Sequence, residues 1–300
     1  MANIEGLQKF EIFPLNQTGA SPTFSYRSGN PLIVFEIASS DLYLMPDLRL
    51  NFTFTAKTAA DALPNNNNAT GAGLREVLTN SRIAVTSAIE TVTVSNLSNN
   101  VLENCRNYGR LMGSTLPANS GWGDYSTYMT QWFGATQNTE AQGKMLNKPI
   151  QVSMPILTAL FAQNEPIPLS FDNGTGGLRL QFALSPSVAA MITSQAAQAN
   201  CYYELGSVSL TGNYAVPQGG ALPNIDQLRF SAYQSYYQVI NNSDQTSQIN
   251  CGLGAVNSVF TNFVPTTHLS NVGEDAYQTT SLLNVNAGAY TSVAPIVDIN

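Results

Sequence analysis

Strict alternation of apolar and polar residues marks the strongest predicted strands of this chain. In the stretches Leu48–Phe54 and Leu178–Leu184, every second residue is apolar, and Leu32–Ile37 is a compact apolar run. Side chains on a strand point alternately to its two faces, so this pattern predicts strands that each bury one face. The chain is therefore predicted to be all-β.

The stretch Tyr203–Val216 predicts a further long strand with an irregularity. Its alternation slips by one residue at Gly206, which is typical of a β-bulge. Before it, Pro166 and Pro168 force an extended backbone around Ile167. The residues Asn173–Gly177 are interpreted as a hairpin-type turn because glycine dominates them.

Three stretches have the spacing of short helices. Val101–Met112 carries one apolar stripe, and Asn99 or Asn100 can cap its start. Pro155–Phe161 predicts about two turns, with the proline in the first turn where its missing N–H costs nothing. Val188–Ala199 is an Ala-rich helix candidate.

The two ends of the chain have weaker patterns. Residues 1–30 contain one short strand candidate, Phe10–Phe13, among Gly, Pro, Ser and Asn residues. We interpret them as an N-terminal arm that a neighbouring molecule would order, with a frayed terminus as the equal alternative. Gln218–Pro223 is interpreted as a linker, after which Leu228–Ile240 resumes a strand-like, tyrosine-rich sequence.

Composition indicates a surface that is polar but poor in charge. Charged residues make up 10% of the 300 residues, against about 25% in ordinary soluble domains. The 12 basic and 19 acidic residues give a net charge of −7, and no cluster of basic residues occurs. Direct binding of nucleic acid is therefore not expected, because it needs clustered cations that displace counterions.

The cysteines and the N-terminus restrict the compartment. Cys105, Cys201 and Cys251 are widely spaced and form neither a disulfide framework nor a zinc motif, so we expect buried thiols. No secretion signal and no apolar run long enough for a membrane span are recognised. We therefore expect synthesis in a cytoplasm.

Candidate catalytic groups are sparse. His268 is the one histidine of the chain, and no nucleophile motif accompanies it. Glu165 and Asp172 flank the proline-rich stretch and form the one candidate glycosidase pair, but both are interpreted as surface residues. No metal or cofactor site is predicted. The triplets beginning at Asn16, Asn51 and Asn173 match the glycosylation pattern by chance.

Aromatic residues cluster between Trp122 and Phe133. Such a cluster can stack on sugars, although aromatic side chains more often fill the core beneath a long loop. A carbohydrate-binding β-sandwich is therefore the alternative function, and a β-sandwich hydrolase lacks an acid–base pair.

Two segments, taken in order, resemble a known family. The first contains Ile89–Val94, then the pair Leu102-Glu103 and a tyrosine, Tyr108. The second contains Met154–Leu157, Leu160-Phe161, Pro166–Leu169 and Leu178–Phe182. Together they are similar to segments of the double jelly-roll major capsid proteins of tailless icosahedral viruses, which include adenovirus-like viruses and membrane-containing bacterial viruses.

The resemblance implies a fold and a function. It implies two adjacent eight-stranded jelly rolls with short helices in the connecting loops, one in residues 31–217 and one in residues 218–300. The second is short, so it is reduced or incomplete, or the boundary lies nearer residue 140. The implied protein is not an enzyme. It forms a homotrimeric, pseudo-hexagonal capsomer in the virion that contacts neighbouring capsomers, penton and minor capsid proteins, and an internal membrane where one exists.

Overall fold

Among the residues that this computed structural model describes, eight strands of six residues or more form two sheets around one core. In chain order the strands are β1 (Ile4–Ile12), β2 (Leu32–Ala38), β3 (Tyr43–Leu44), β4 (Arg49–Lys57), β5 (Val77–Thr79), β6 (Ile89–Asn96), β7 (Val101–Arg106), β8 (Ile150–Pro155), β9 (Ile167–Pro168), β10 (Gly177–Leu184), β11 (Met191–Thr193) and β12 (Tyr202–Pro217). A short 3-10 helix, Val85–Ala88, precedes β6.

The structure describes most of the first 219 residues and little of the remainder. The described residues are 4–17, 23–39, 41–58, 60–64, 77–79, 85–109, 111–112, 148–163, 165–171, 176–186, 191–193, 201–219 and 230–236, with residues 246, 256 and 259.

The long strands have the order of a jelly roll. One sheet contains β1, β12, β4 and β8, extended by the short strands β3 and β9, and the other has the order β2-β10-β6-β7. Leu210 pairs with both Ile12 and Leu50, so β1 and β4 lie on opposite edges of β12. All of these pairings are antiparallel. Eight strands in two facing four-stranded sheets define the jelly roll, a fold of viral capsid and lectin domains.

The core forms between the two sheets because each strand buries alternate residues. The inward positions of β4 and β10 are fully or almost fully buried, as the sequence pattern predicts. Phe35 and Phe182 meet edge to face with ring centres 6.1 Å apart, and Phe54 stacks on Tyr203 at 5.1 Å. The buried Tyr203 hydroxyl donates to the carbonyl oxygen of Ser185 at 2.6 Å. Its polar end is therefore satisfied inside an apolar core.

The predicted bulge in β12 is confirmed. The register against β4 shifts between Gly206 and Ser209, so that Ser207 and Val208 together oppose Phe52. Ser207 adopts a φ of 49°, and Val208 returns to the core with 4% of its surface exposed. The bulge explains why the apolar positions of β12 change parity at Gly206.

The predicted helix over Val101–Met112 is wrong in its first half. Residues Val101–Arg106 form β7, which pairs antiparallel with β6. The two strands join through a turn in which Asn99 has a φ of 65° and the Asn96 side chain accepts the N–H of Asn100 at 2.7 Å. The asparagines thus close a hairpin instead of capping a helix. Residues Val101–Arg106 form a strand because the edge of β6 offers them backbone hydrogen-bond partners, which the apolar spacing of a local helix does not take into account.

The predicted helix over Pro155–Phe161 is also wrong. Pro155 ends β8, where it pairs with Arg49. Beyond it the chain makes a single turn, closed by the Ala162 N–H donating to the Thr158 carbonyl oxygen at 2.9 Å. The expected burial holds, because Ile156, Leu160 and Phe161 all lie in the core. The spacing that suggested a helix comes from apolar side chains on one side of a loop.

Three further expectations need correction. Met191–Thr193, inside the helix candidate Val188–Ala199, is a strand that pairs with β5. The connection from β9 to β10 passes from one sheet to the other, so it does not close a hairpin. In the described part of Leu228–Ile240, one isolated parallel bridge joins Gln234 to Asn104, and no strand forms. The other residues of 188–199 and of 220–300 lie mostly outside the described residues.

The first residues of the chain form a longer strand than Phe10–Phe13. Strand β1 runs antiparallel to β12 of the same chain from Ile4 to Ile12. Phe10 stacks on Tyr214 with ring centres 4.3 Å apart. These residues are thus paired without a neighbouring molecule.

Gly177, at the start of β10, provides a test of this packing. It has a φ of 144°, and an added Cβ would lie 2.4 Å from the carbonyl oxygen of Ile37. We expect Gly177→Ala to lower the free energy of unfolding by about 1–3 kcal/mol, because the backbone of β2 must move. Denaturant melts should show no comparable loss for Gly6→Ala, where nothing lies within 4 Å. Equal stability of the two variants would contradict the β2–β10 register.

Candidate functional site

A buried carboxylate, Glu103 of β7, joins parts of the chain that are distant in sequence. Glu103 has only 2% of its surface exposed to solvent. One oxygen, Oε1, accepts the N–H of Ala159 at 2.8 Å and the N–H of Tyr233 at 3.0 Å. The other, Oε2, accepts the N–H of Leu160 at 2.9 Å. Backbone N–H groups that converge on a carboxylate form strong, charge-assisted hydrogen bonds.

Tyr108, two residues beyond the end of β7, binds the same loop. Its hydroxyl oxygen accepts the N–H of Leu157 at 3.0 Å. Together these bonds satisfy backbone N–H groups of residues 156–162, which we call the 156–162 loop. Its N–H groups with assigned acceptors are those of Ile156, Leu157, Ala159, Leu160, Phe161 and Ala162. A buried loop must satisfy its backbone in this way, since it lacks a regular ladder.

The two segments that carry the family resemblance therefore meet in space. Leu102-Glu103 and Tyr108 belong to the first segment, and the 156–162 loop belongs to the second. The bonds from Glu103 span 56 and 57 residues of sequence. We call Glu103, Cys105, Tyr108 and the backbone groups bonded to them the Glu103 cluster.

Residues 230–236 also lie against β7. Tyr233 donates its N–H to Glu103, and the Ser235 hydroxyl donates to the Arg106 carbonyl oxygen at 3.2 Å. The side chains of Phe230 and Tyr233 are partly buried against the core. The chain beyond β12 thus returns to the free edge of β7 and is fixed there by the same carboxylate.

The groups of the Glu103 cluster stabilise the fold and do not have the properties of reactive groups. The Cys105 thiol donates to Glu103 at 3.4 Å. Burial raises the pKa of this thiol, and the charge of Glu103 raises it further. Burial likewise raises the pKa of the Tyr108 hydroxyl, which the hydrogen bond from Leu157 opposes. A protonated, buried thiol is a poor nucleophile, and both oxygens of Glu103 are occupied by hydrogen-bond donors.

The residues considered for catalysis are not brought together by the described structure. Glu165 is exposed, and its proposed partner Asp172 lies outside the described residues, as does His268. The aromatic cluster Trp122–Phe133 is outside them as well. Among the residues that the structure describes, no three His, Cys, Asp or Glu side chains are placed to hold a metal ion.

Other sequence features have structural explanations where they are described. Cys105 and Cys201 are buried, as expected, and Cys251 is outside the described ranges. Asn51 is within β4 and donates to Ser209 and Thr211 of β12. The side chain of Asn16 bonds to the backbone of Leu32 and Val34. No helix in the described parts is long and apolar enough to cross a bilayer.

Four of the exposed large apolar side chains in the described residues lie within the first 15 residues of the chain. Leu7 is 63% exposed, Phe13 62% and Leu15 59%, and Ile4 adds 39%. By contrast, the outer face of β4 and β12 carries amides and hydroxyls that bond to one another, as between Asn51 and Thr211 at 3.0 Å. Apolar groups gathered in one region of a surface are typical of an interaction site.

Comparison with solved structures finds viral capsid proteins. A PBCV-1 capsid protein fitted into a reconstruction of the virophage Sputnik is 12% identical over 71% of this chain and 43% of that chain, with a TM-score of 0.42. A chain of the Sputnik virophage structure is 8% identical over 74% of this chain and 50% of that chain, with a TM-score of 0.39. The major capsid protein of Sulfolobus Turreted Icosahedral Virus is 13% identical over 69% of this chain and 48% of that chain, with a TM-score of 0.31.

The chain spans half or less of the length of each of these proteins. No family model and no curated protein matches its sequence.

Sequence reasoning quoted Glu103 within the resemblance but missed its role. The signal that would have found it is an acidic residue at an inward position of an alternating strand. That signal is visible only once Val101–Arg106 is assigned as a strand, and the helical interpretation hid it.

The Glu103 cluster makes a direct stability prediction. Glu103→Gln keeps one acceptor oxygen but places an amide N–H opposite a backbone N–H. We expect the free energy of unfolding to fall by about 1–3 kcal/mol, since a buried donor loses its acceptor. Glu103→Leu should cost more, because it removes both acceptor oxygens. The control is Glu165→Gln at an exposed carboxylate, and denaturant midpoints that match this control would contradict the structural role.

Proposed function

We propose that this chain is a structural virion protein, a major capsid protein that assembles into an icosahedral shell. The observation that carries the proposal is the Glu103 cluster within a complete jelly roll. The two segments that resemble double jelly-roll capsid proteins contact each other through hydrogen bonds of 2.8–3.0 Å. If each segment resembled the family only by chance, there would be no reason to expect the two segments to contact each other in the structure.

The surface supports assembly. Few charges and many amides and hydroxyls give faces that can pack against other molecules with little desolvation of charge. The exposed apolar residues near the N-terminus supply a hydrophobic contribution to such contacts. Lectins share the jelly-roll fold, but no described residue favours a sugar site over this assembly role.

The proposed architecture is a double jelly roll, with the first in residues up to 217 and the second in residues 218–300. Residues 230–236 support this arrangement, since they fix the chain after β12 against β7. Three chains with two jelly rolls each would give a capsomer with a roughly hexagonal outline. Such units tile flat facets through repeated weak contacts between symmetric copies.

The proposed role needs no catalytic group and no cofactor. Its partners are further copies in a homotrimer, neighbouring capsomers, penton and minor capsid proteins, and an internal membrane where the virus has one. The chain would be made in the host cytoplasm and function in the virion.

The oligomeric state tests this proposal. We expect purified protein to scatter light as a trimer at micromolar concentration. Because the surface carries few charges, the trimer should persist when salt is raised from about 0.1 to 1 M. A stable monomer under both conditions would contradict the capsid role.

Binding of nucleic acid provides a second test. The net charge of −7 predicts that the assembled protein repels phosphate. Filter binding to single- and double-stranded DNA at physiological salt should show no submicromolar affinity. Tight binding that weakens steeply with salt would show instead that basic residues such as Lys144 and the exposed Lys148 converge on one face. Lys148→Glu would then locate that face.

A further inference from the structure

In the part of the chain that the structure describes, no strand pairs with one edge of β1. In the described part of the chain its only strand partner is β12, which occupies one side of it from Ile4 to Ile12. Six of its nine residues are exposed, including Ile4 and Leu7. A long edge strand with exposed apolar side chains is a template for pairing with another strand. Its sequence decides which partner it favours.

The sequence of β1 complements itself in one antiparallel register. If two copies pair with Leu7 opposite Leu7, then Glu5 lies opposite Lys9 of the other copy, and Lys9 opposite its Glu5. Each of these is a favourable cross-strand pair, either of opposite charges or of apolar side chains.

The neighbouring registers are less favourable. Moving the centre from Leu7 to Gln8 places Glu5 opposite Glu11, and moving it to Lys9 places the two lysines opposite each other. Like charges directly opposite are destabilising. Of the registers centred on Leu7, Gln8 and Lys9, the charges therefore favour the one centred on Leu7.

We propose that β1 pairs with β1 of a second copy of this chain, antiparallel and centred on Leu7, to form a continuous sheet across a two-fold axis. The charges of Glu5 and Lys9 give this edge its selectivity. A lysine on an edge strand discourages pairing with most other strands, but opposite Glu5 of the second copy it contributes an attractive contact. The register against β12 shifts between Ile4 and Gly6, so Glu5 lies at an irregularity of the strand, and Gly6–Ile12 stay in continuous register.

The place of this contact in a shell rests on the proposed function. A two-fold contact joins equivalent surfaces, so it cannot lie within a three-fold trimer. It would join chains of neighbouring capsomers. The pairing itself depends only on the edge and the sequence of β1.

Single cysteines test the register in the full chain. In a Cys251→Ser background, Leu7→Cys should give a disulfide-linked pair under mild oxidation, because opposite residues lie about 4.5–5.5 Å apart at Cα, within disulfide range. The native Cys105 and Cys201 are buried and should not react. Lys9→Cys is the matched control and should not link, since its opposite residue is Glu5. Linkage through Lys9→Cys alone, through both variants or through neither would overturn the proposal.

Charge reversal supplies an independent measurement. Lys9→Glu should weaken association of the pair by about tenfold by opposing carboxylates, and Glu5→Lys combined with Lys9→Glu should restore it. A double variant as weak as the single variant would count against the pairing. Trimers that form without a Leu7→Cys link would refute this inference alone, and a linked pair without trimers would refute the proposed function alone.

Discussion

The fold depends on one buried carboxylate whose hydrogen bonds replace a regular backbone ladder. Glu103 accepts N–H groups from the 156–162 loop and from Tyr233, and Tyr108 adds a third contact to that loop. Without these acceptors the loop would bury unpaired donors in the core, at a cost of about 1–3 kcal/mol each. The loop joins β8 to β9 within the first sheet, so its hydrogen bonds to Glu103 of β7 connect that sheet to the other one. The same carboxylate fixes where the chain returns after β12.

The Glu103 cluster also constrains the direction of the chain beyond the jelly roll. Residues 230–236 lie along β7, which is the edge strand of the β2-β10-β6-β7 sheet. Covering that edge protects it from pairing with other molecules. The edge of β1 in the other sheet has no such cover in the described residues. Among the described residues, the β7 edge is thus covered and the β1 edge is not, and β1 is the edge that we propose for contacts between copies.

Sequence alone predicted the parts of the fold in which burial alternates without interruption. The pattern of Leu48–Phe54 and Leu178–Leu184 locates β4 and β10, and the slip at Gly206 locates the bulge of β12. The errors share one physical cause. Val101–Met112 and Pro155–Phe161 have apolar residues at spacings that suit a helix, yet their backbone partners are distant in sequence. The edge of β6 and the carboxylate of Glu103 supply these partners, and neither is visible in a local window of sequence.

Native-state hydrogen exchange tests the Glu103 cluster most directly. The account predicts that the amide protons of Ala159, Leu160 and Tyr233 exchange as slowly as those of the core strand β10, and that Glu103→Leu accelerates all three together. The amide of the exposed Glu165 provides the fast reference. If the three amides exchange at the rate of Glu165 in the native chain, Glu103 does not hold these segments together, and the central claim is contradicted.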